Sequence, residues 1–244
     1  MYVSMYNDKM TEVSLVLPAY NEAERLRDTV RQVADALQKI NTSFEIIIAE
    51  DGSTDGTDNT ADELAKEFTY VSHLHSNDRL GRGKALNRAF KSSKGEIVAY
   101  IDVDLATDLK HLDELIESIR EGYDIATGSR MLKDSDVKRS FTRLVASKGF
   151  NFMTRHLLKS ELKDHQCGFK AFKRESLFAI LDTVKDNHWF WDTEILVRAQ
   201  REGYRVKEFP VRWRCDNQTK VDLKRDVTEM GTQILRLWRE LRHT

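Results

Sequence analysis

The feature that most constrains this chain is a rhythm: short apolar runs alternate with amphipathic segments, and each run stops at polar residues. "VSLVLPAY" (13–20), "FEIIIAE" (44–50), "VSHLH" (71–75), "EIVAYI" (96–101) and "YDIATGS" (123–129) read as strands. The most apolar of them carry Val, Ile and Leu on both faces, as buried parallel strands do. Between the first two, "NEAERLRDTVRQVADALQKI" (21–40) places Leu26, Val30, Val33 and Leu37 at helical spacing. Further helices are predicted at about 57–68, 81–93 and 108–120. Repeated β-α units of this kind imply an α/β fold: one Rossmann-like, mostly parallel sheet flanked by helices. Ligands of such sheets sit at the carboxyl ends of the strands. Four polar clusters fall at those ends: Tyr20-Asn21-Glu22, Glu50-Asp51-Gly52-Ser53, Asp102-Val103-Asp104 and Gly128-Ser129-Arg130.

The second half is less regular. A basic amphipathic helix is predicted over 138–159, which contains no Asp or Glu. Loop and short strand follow over 160–173, then helices at about 174–184 and 191–202, and "YRVKEFPVRWR" (204–214) alternates like one strand. A C-terminal amphipathic helix over about 223–242 carries Val227, Met230, Ile234, Leu237, Trp238 and Leu241. The 244 residues are enough for one large domain, expected over 1–222, with 223–244 packed on it or lying at a membrane surface. A net charge of −1 argues against a nucleic-acid partner. The two cysteines, Cys167 and Cys215, lack CxxC spacing and read as free thiols of a reducing compartment. The first residues show no signal-peptide pattern, and no apolar run approaches the roughly 18–20 residues needed to span a bilayer. The expected location is cytoplasmic.

Asp102-x-Asp104 offers hard carboxylate oxygens to Mg²⁺ or Mn²⁺, which would bridge them to a pyrophosphate. Asp108, just before a predicted helix, fits an N-cap instead. "EDGSTDGT" is not a Walker A loop, and "GRGKA" (81–85) lacks the glycines of a P-loop or a dinucleotide fingerprint. His165 and Cys167 have no second pair at ligand spacing, so they do not read as a zinc site. Trp189, Phe190 and Trp191 are candidates for core or for a wall stacking on sugar. Lys170, after a close turn at Gly168, faces solvent or phosphate.

In order and spacing, "LVLPAYNEAERL", "AEDGSTDGT", "YIDVDLATD" and "ATGSR" resemble the family-2 GT-A glycosyltransferases. "RLVASKGFNFMTRHLL", "DHQCGFKAFKRE", "WFWDTEIL" and "KEFPVRWR" with "TKV" extend the likeness over about 12–222. The whole resembles the dolichyl-phosphate sugar synthases, nearer their glucosyltransferase-like branch than the mannose synthase. The resemblance implies that Pro18, Ala19, Tyr20, Glu22 and Val103 shape the nucleotide pocket. Asp51 would hold the base, with Glu50 standing where the family more often has Asp. Asp102 would meet ribose and metal, and Asp104 would ligate the metal. Ala106 stands where mannose synthases often place Gln, which turns the expectation from GDP-mannose toward UDP-sugars. Arg130, Arg143 and Lys220 match positions that meet phosphates. Asp192 would position donor or acceptor, or act as a base where the acceptor is a hydroxyl, while Glu194 opens a helix.

The activity so implied is inverting, metal-dependent transfer of a hexose or N-acetylhexosamine from a nucleotide sugar to a polyprenyl (dolichyl) phosphate. The enzyme would sit peripherally on the cytoplasmic face of the membrane, in reach of the lipid, and a homodimer is compatible with it. A GT-A enzyme with a glycan or soluble acceptor is the alternative. A non-catalytic nucleotide-sugar-binding module is the alternative of another class, and retention of both aspartates and Arg130 argues against it.

Overall fold

The computed structural model describes residues 11–138, 141–214 and 223–242, without the side chains of Phe141, Arg143 and 223–228. Its strands are β1 (Val13–Ala19), β2 (Phe44–Glu50), β3 (Val71–Leu74), β4 (Ile97–Ile101), β5 (Ile125–Ser129), β6 (Asp136–Lys138), β7 (Phe169–Lys173), β8 (Val206–Pro210) and β9 (Arg212–Arg214). Its helices are α1 (Ala23–Lys39), α2 (Thr57–Glu67), α3 (Arg82–Ser92), α4 (Leu112–Arg120), α5 (Phe141–Leu158), α6 (Arg174–Leu181), α7 (Trp191–Arg201) and α8 (Leu223–Glu240). A short 3₁₀ turn, Leu109–His111, precedes α4, and Asp108 caps it by accepting from Lys110 N at 3.1 Å.

Seven strands form one sheet in the order β3-β2-β1-β4-β7-β5-β8. All neighbours run parallel except β7, which is antiparallel to β4 and β5. Strand side chains alternate between faces. Leu15, Leu17, Ile46, Ile48, Ala99 and Ile101 therefore meet α1, α2 and α4 through Leu26, Val30, Leu64, Leu115 and Ile116. Val16, Ile47, Val98, Tyr100 and Phe172 meet α3, α6 and α7 through Leu86, Phe90, Leu177, Trp191 and Ile195. Pro18 is tolerated in a central strand because the β1–β4 ladder has already ended at Val16↔Tyr100.

One sequence expectation changes. The single strand over 204–214 is broken: β8 forms the sheet edge, Val211 N bonds Ser129 O, and β9 turns away to pair with β6. Pro210, which has no N–H to donate, stands at the break. The 160–173 segment ends in β7, whose reversed direction sets its first residue, Phe169, against Ile101 at the end of β4. The loop before β7 is thereby delivered to the carboxyl edge, beside Asp102.

The helix α8 packs by Ile234 and Leu237 against Phe150 and Leu158 of α5 and Phe190 and Val197 beside and within α7. Buried Glu194 holds the two together, pairing with Arg198 at 2.7 Å and with Arg236 at 2.5 Å. Its oxygens also accept from the backbone N–H groups of Lys185 and Asp186, so its role extends beyond opening a helix. Among the described residues, no helix is long and apolar enough to cross a membrane.

Candidate active site

The carboxyl edge is built from loops that hydrogen-bond one another. Asn21 takes a left-handed turn, φ 55°, which asparagine tolerates. Its N–H donates to Ser53 Oγ at 3.0 Å, and its Oδ1 accepts from Thr54 N at 2.8 Å. Glu22 N donates to Thr57 Oγ1 at 2.7 Å. Asp55 accepts from Ala23 N at the start of α1 and from Thr57 at the start of α2. Burial opposes its charge, but these donors outweigh burial and hold its carboxyl below the usual range. The turns after β1 and β2 thus form one unit. Tyr20 faces Arg79, whose guanidinium lies 3.9 Å from the ring centroid.

Asp51 is buried and accepts from Leu80 N at 2.8 Å and Gly81 N at 2.9 Å. It anchors the loop that enters α3 from the end of β2. Glu50 beside it is fully buried, accepting from Ser53 N and meeting His75 Nδ1 at 2.6 Å.

Past β4, Thr29 Oγ1 donates to Val103 O at 2.8 Å, tying the Asp102–Asp104 turn to α1. Leu105 takes φ 48°, and Asp104 Oδ1 accepts from Ala106 N at 3.0 Å. Asp102 N is bound to Gly168 O at 3.0 Å. A Cβ on Gly168 would lie 1.8 Å from Asp102 Oδ2, so only glycine leaves room for this carboxylate. The Asp102 side chain keeps 42% exposure.

Arg82, the first residue of α3, joins the two acids that the sequence put forward. Its Nη2 donates to Asp102 Oδ1 at 2.7 Å and its Nη1 to Asp192 Oδ2. Asp192, at the start of α7, also accepts from the Tyr100 hydroxyl and from Lys170 Nζ at 3.0 Å. Lys170 is fully buried, and its Nζ further donates to Cys167 O and, at 3.3 Å, to His165 O. Burial works against the Asp192 charge, but Arg82 and Lys170 outweigh it and hold the carboxyl below the ordinary range. Burial and then Asp192 push the Tyr100 hydroxyl well up, so it stays protonated and donates. Lys170 therefore faces neither solvent nor phosphate: it is the buried counter-ion of Asp192.

Arg130, past β5, forms a bidentate pair with buried Asp164 at 2.7 and 2.9 Å, and its own N–H donates to the same carboxylate at 2.9 Å. Burial opposes the guanidinium charge, but Asp164 outweighs it, and Asp102 adds to the hold at longer range. The Arg130 guanidinium lies 5.7 Å from the Trp213 ring centroid. Trp213 belongs to β9, which closes the rim where Arg214 N bonds Ala106 O at 2.8 Å. Of the aromatic triplet, Phe190 and Trp191 are core, whereas Trp189 is 47% exposed with Arg82 5.5 Å from its ring centroid. Trp189 alone of the three remains able to form a wall of the cleft.

The structure gathers Asp102, Asp104 and Asp192 at one edge, with Arg130 nearby, and sets Pro18, Ala19, Tyr20, Glu22, Glu50, Asp51 and Val103 around the adjoining end. Lys220 and the Arg143 side chain lie outside the described residues. The sequence reading missed Arg82 and Asp164, and it named Lys170 and Gly168 without the roles they take, counter-ion of Asp192 and room for the Asp102 carboxylate. Arg82 had one signal, a cation opening a helix between Gly81 and Gly83.

Behind Lys170, His165 is buried, with Nδ1 2.8 Å from Asn151 Oδ1 and Nε2 2.7 Å from Ser160 Oγ. Burial pushes its pKa down to about 4. The unfolded chain, with histidine near ~6.5, then binds the extra proton first, so stability falls as pH drops from about 6.5 toward 4. His165→Asn is expected to flatten that part of the pH–stability curve, as read by urea unfolding between pH 7 and 4.

A mostly parallel sheet with an acidic, arginine-bridged cleft at its carboxyl edge, beside the interlocked turns after β1 and β2, has the architecture of the GT-A glycosyltransferases. The sequence matches the profile of the Glycosyl transferase family 2 over residues 14–181. Glycosyltransferase AglD of Haloferax volcanii is 54% identical over 233 residues, which cover 94% of this chain but 37% of that relative, so the chain spans little more than a third of its length. A dolichyl-phosphate beta-glucosyltransferase of Dictyostelium discoideum is 32% identical over 239 residues, covering 92% of this chain and 73% of the relative. The chain belongs to glycosyl transferase family 2, and within it is similar to the dolichyl-phosphate glucosyltransferases. Glucosyl-3-phosphoglycerate synthase from Mycobacterium tuberculosis, solved with UDP, shares the fold with a TM-score of 0.66 at 22% identity, over 93% of this chain and 80% of that one.

Proposed function

We propose that this chain transfers a hexose or N-acetylhexosamine, with inversion, from a nucleotide sugar (UDP ahead of GDP) to a polyprenyl phosphate at the cytoplasmic face of a membrane. The product would feed glycan assembly such as N-glycosylation. The relatives named for dolichyl-phosphate glucosyl transfer support the acceptor, and the UDP-bound structural neighbour agrees with the donor.

The observation that carries the reading is the state of Asp192. A hydroxyl acceptor needs a base, yet this carboxylate is buried, bound by Arg82, Tyr100 and Lys170, and held below the usual range. It is a poor proton acceptor. A phosphate monoester has a second pKa near ~6 and arrives largely ionised at neutral pH. Such a nucleophile needs orientation more than deprotonation. Its oxygen attacks the anomeric carbon from the face opposite the nucleoside diphosphate, the C1–O bond breaks, and the diphosphate leaves with the bonding pair.

Asp102 and Asp104 would hold Mg²⁺ or Mn²⁺. The donor set fits: two hard carboxylates at a strand end, the first partly exposed and given its room by the missing Cβ of Gly168. When bound, the cation supplies positive charge against the departing diphosphate. The chain's own cations work alongside it. Arg82 bridges Asp102 to Asp192 and fixes both carboxylates, and Arg130, pinned by Asp164, holds charge at the same edge. Arg143 and Lys220 would meet the acceptor phosphate. Asp51 and Tyr20 would frame the base.

A long-chain polyprenyl phosphate stays in the bilayer, so the cleft must come to the lipid. The helix α5 supplies the means. Val145 and Phe152 are 53% and 61% exposed, and Met153 and Leu157 are partly exposed beside them. Lys148, Arg155 and Lys159 are exposed next to these residues, and no acid lies in the segment. That combination suits an interfacial helix on anionic lipid, each basic side chain near the surface contributing about 1 kcal/mol. The opposite side of α5 is occupied by the α8 contact through Phe150 and Leu158, which leaves α8 packed on the domain by its own apolar stripe.

The protein is expected to sediment with anionic vesicles at low salt and to be released as salt rises. Lys148→Glu with Arg155→Glu should lower both sedimentation and transfer to a long-chain acceptor in vesicles, and leave transfer to a short soluble polyprenyl phosphate unchanged. No vesicle binding at low salt together with full activity on the long-chain lipid would refute the docking.

A further inference from the structure

We propose that Glu50, His73 and His75 form a second cation site, one for a borderline divalent metal such as Zn²⁺. The β2–β3 ladder places them together. His73 sits opposite Ile48 and Leu74 opposite Ala49. The next step along the chain brings His75 beside Glu50. His73 and His75, two residues apart, lie on one face of the strand edge. Each of the three offers a ligand atom, and these atoms all lie within 4.8 Å of one another.

Their local bonding leaves a gap in this arrangement. Glu50 is fully buried, with one oxygen accepting from Ser53 N and the other 2.6 Å from His75 Nδ1. His73 Nε2 is buried with no hydrogen-bond partner, which is costly for a polar atom and calls for a reason. A bound cation gives one, since it ties His73 into the group that Glu50 and His75 already share.

The donor chemistry selects the metal. Two imidazoles with one carboxylate suit Zn²⁺ or Co²⁺ far better than Mg²⁺, which prefers oxygen alone. Ligand bonds of about 2.0–2.2 Å set tetrahedral ligand atoms roughly 3.3 Å apart, so the Glu50–His75 contact at 2.6 Å would open to admit the ion while all three groups stay within reach of it. The His75 side chain, 44% exposed at the end of the strand, would make that adjustment while its Nε2 stays near Asn77 Oδ1, now 3.1 Å away. Three protein ligands leave a fourth position for water. Because Glu50 also holds Ser53, a bound cation would brace the 51–57 loop that meets Asn21.

Calorimetric titration of the metal-stripped full chain with ZnCl₂, in excess MgCl₂, tests the site. The expected result is one Zn²⁺ per chain that Mg²⁺ does not displace. In His73→Ala and in His75→Gln the affinity should fall by more than the about 10–100-fold that loss of an outer-shell partner costs. Asp104→Ala should leave it unchanged. Co²⁺ should give visible absorption bands with the parent chain that are lost in both histidine variants. His75→Gln changes an exposed side chain, so it reports even where His73→Ala disturbs folding, which circular dichroism checks. No Zn²⁺ binding, binding undiminished in His75→Gln, or displacement by Mg²⁺ would overturn the proposal; the first outcome would leave only a Glu50–His75 ion pair.

Discussion

Asp104→Ala is expected to lower sugar transfer by about 10³-fold or more while the protein remains folded. Metal stabilisation of a leaving phosphate is worth several kcal/mol, and each ~1.4 kcal/mol of barrier is tenfold in rate. The side chain lies in the turn beyond β4, outside the three core clusters, where its Oδ1 accepts from Ala106 N. Losing that hydrogen bond costs about 1 kcal/mol, too little to unfold a domain of this size. Thermal unfolding and Mn²⁺ titration, run beside the rate assay, separate the effects. The variant should melt near the parent temperature, bind Mn²⁺ weakly and turn over barely at all. Full activity in the variant, or in the parent with EDTA, would show that the acids at β4 do another job.

Lys170→Met carries the largest expected loss of stability. Lys170 Nζ is buried against Asp192 and two backbone carbonyls. Methionine fills the stem but leaves those carbonyls without a donor and Asp192 with Arg82 and Tyr100 as remaining partners. Breaking a buried pair of this kind costs about 3–5 kcal/mol, and the surviving partners place this case near the low end. At ~2–4 °C per kcal/mol for a domain of this size, the melting temperature should drop on the order of 10 °C. Transfer should fall too, because Lys170 helps hold Asp192 against Arg82. A variant as stable as the parent would mean that the ammonium's desolvation had cancelled its interactions.

Which parts of this molecule could be read in advance follows from the range of the interactions concerned. The central strands β1, β2 and β4 are buried on both faces, so their sequences are near-continuous apolar runs. Helices such as α1 advertise a stripe at 3.6 spacing, with Leu26, Val30, Val33 and Leu37 all buried. The polar strand ends followed from topology, and they converge as expected. The strand β7 was less legible in "FKAFK", where two lysines interrupt the apolar pattern. Lys170 is inside only because Asp192, 22 residues later, neutralises it. Arg82 acquires its role from Asp102 and Asp192, 20 and 110 residues away. Asp164 lies 34 residues from Arg130 and shows no local pattern that links them. Local spacing reports burial and periodicity, whereas these charge pairs exist only once the sheet has brought distant segments to one edge.

The most direct test of the central claim is product analysis. The purified protein would be given a panel of radiolabelled UDP- and GDP-sugars with a short polyprenyl phosphate and Mn²⁺, and the lipid-extractable product examined by mass spectrometry and by NMR at the anomeric carbon. The account predicts a polyprenyl-phosphate sugar formed from a UDP-sugar, with the anomeric configuration inverted relative to the donor and no product in EDTA. Transfer to a hydroxyl acceptor with none to the lipid phosphate, or retention of configuration, would contradict it.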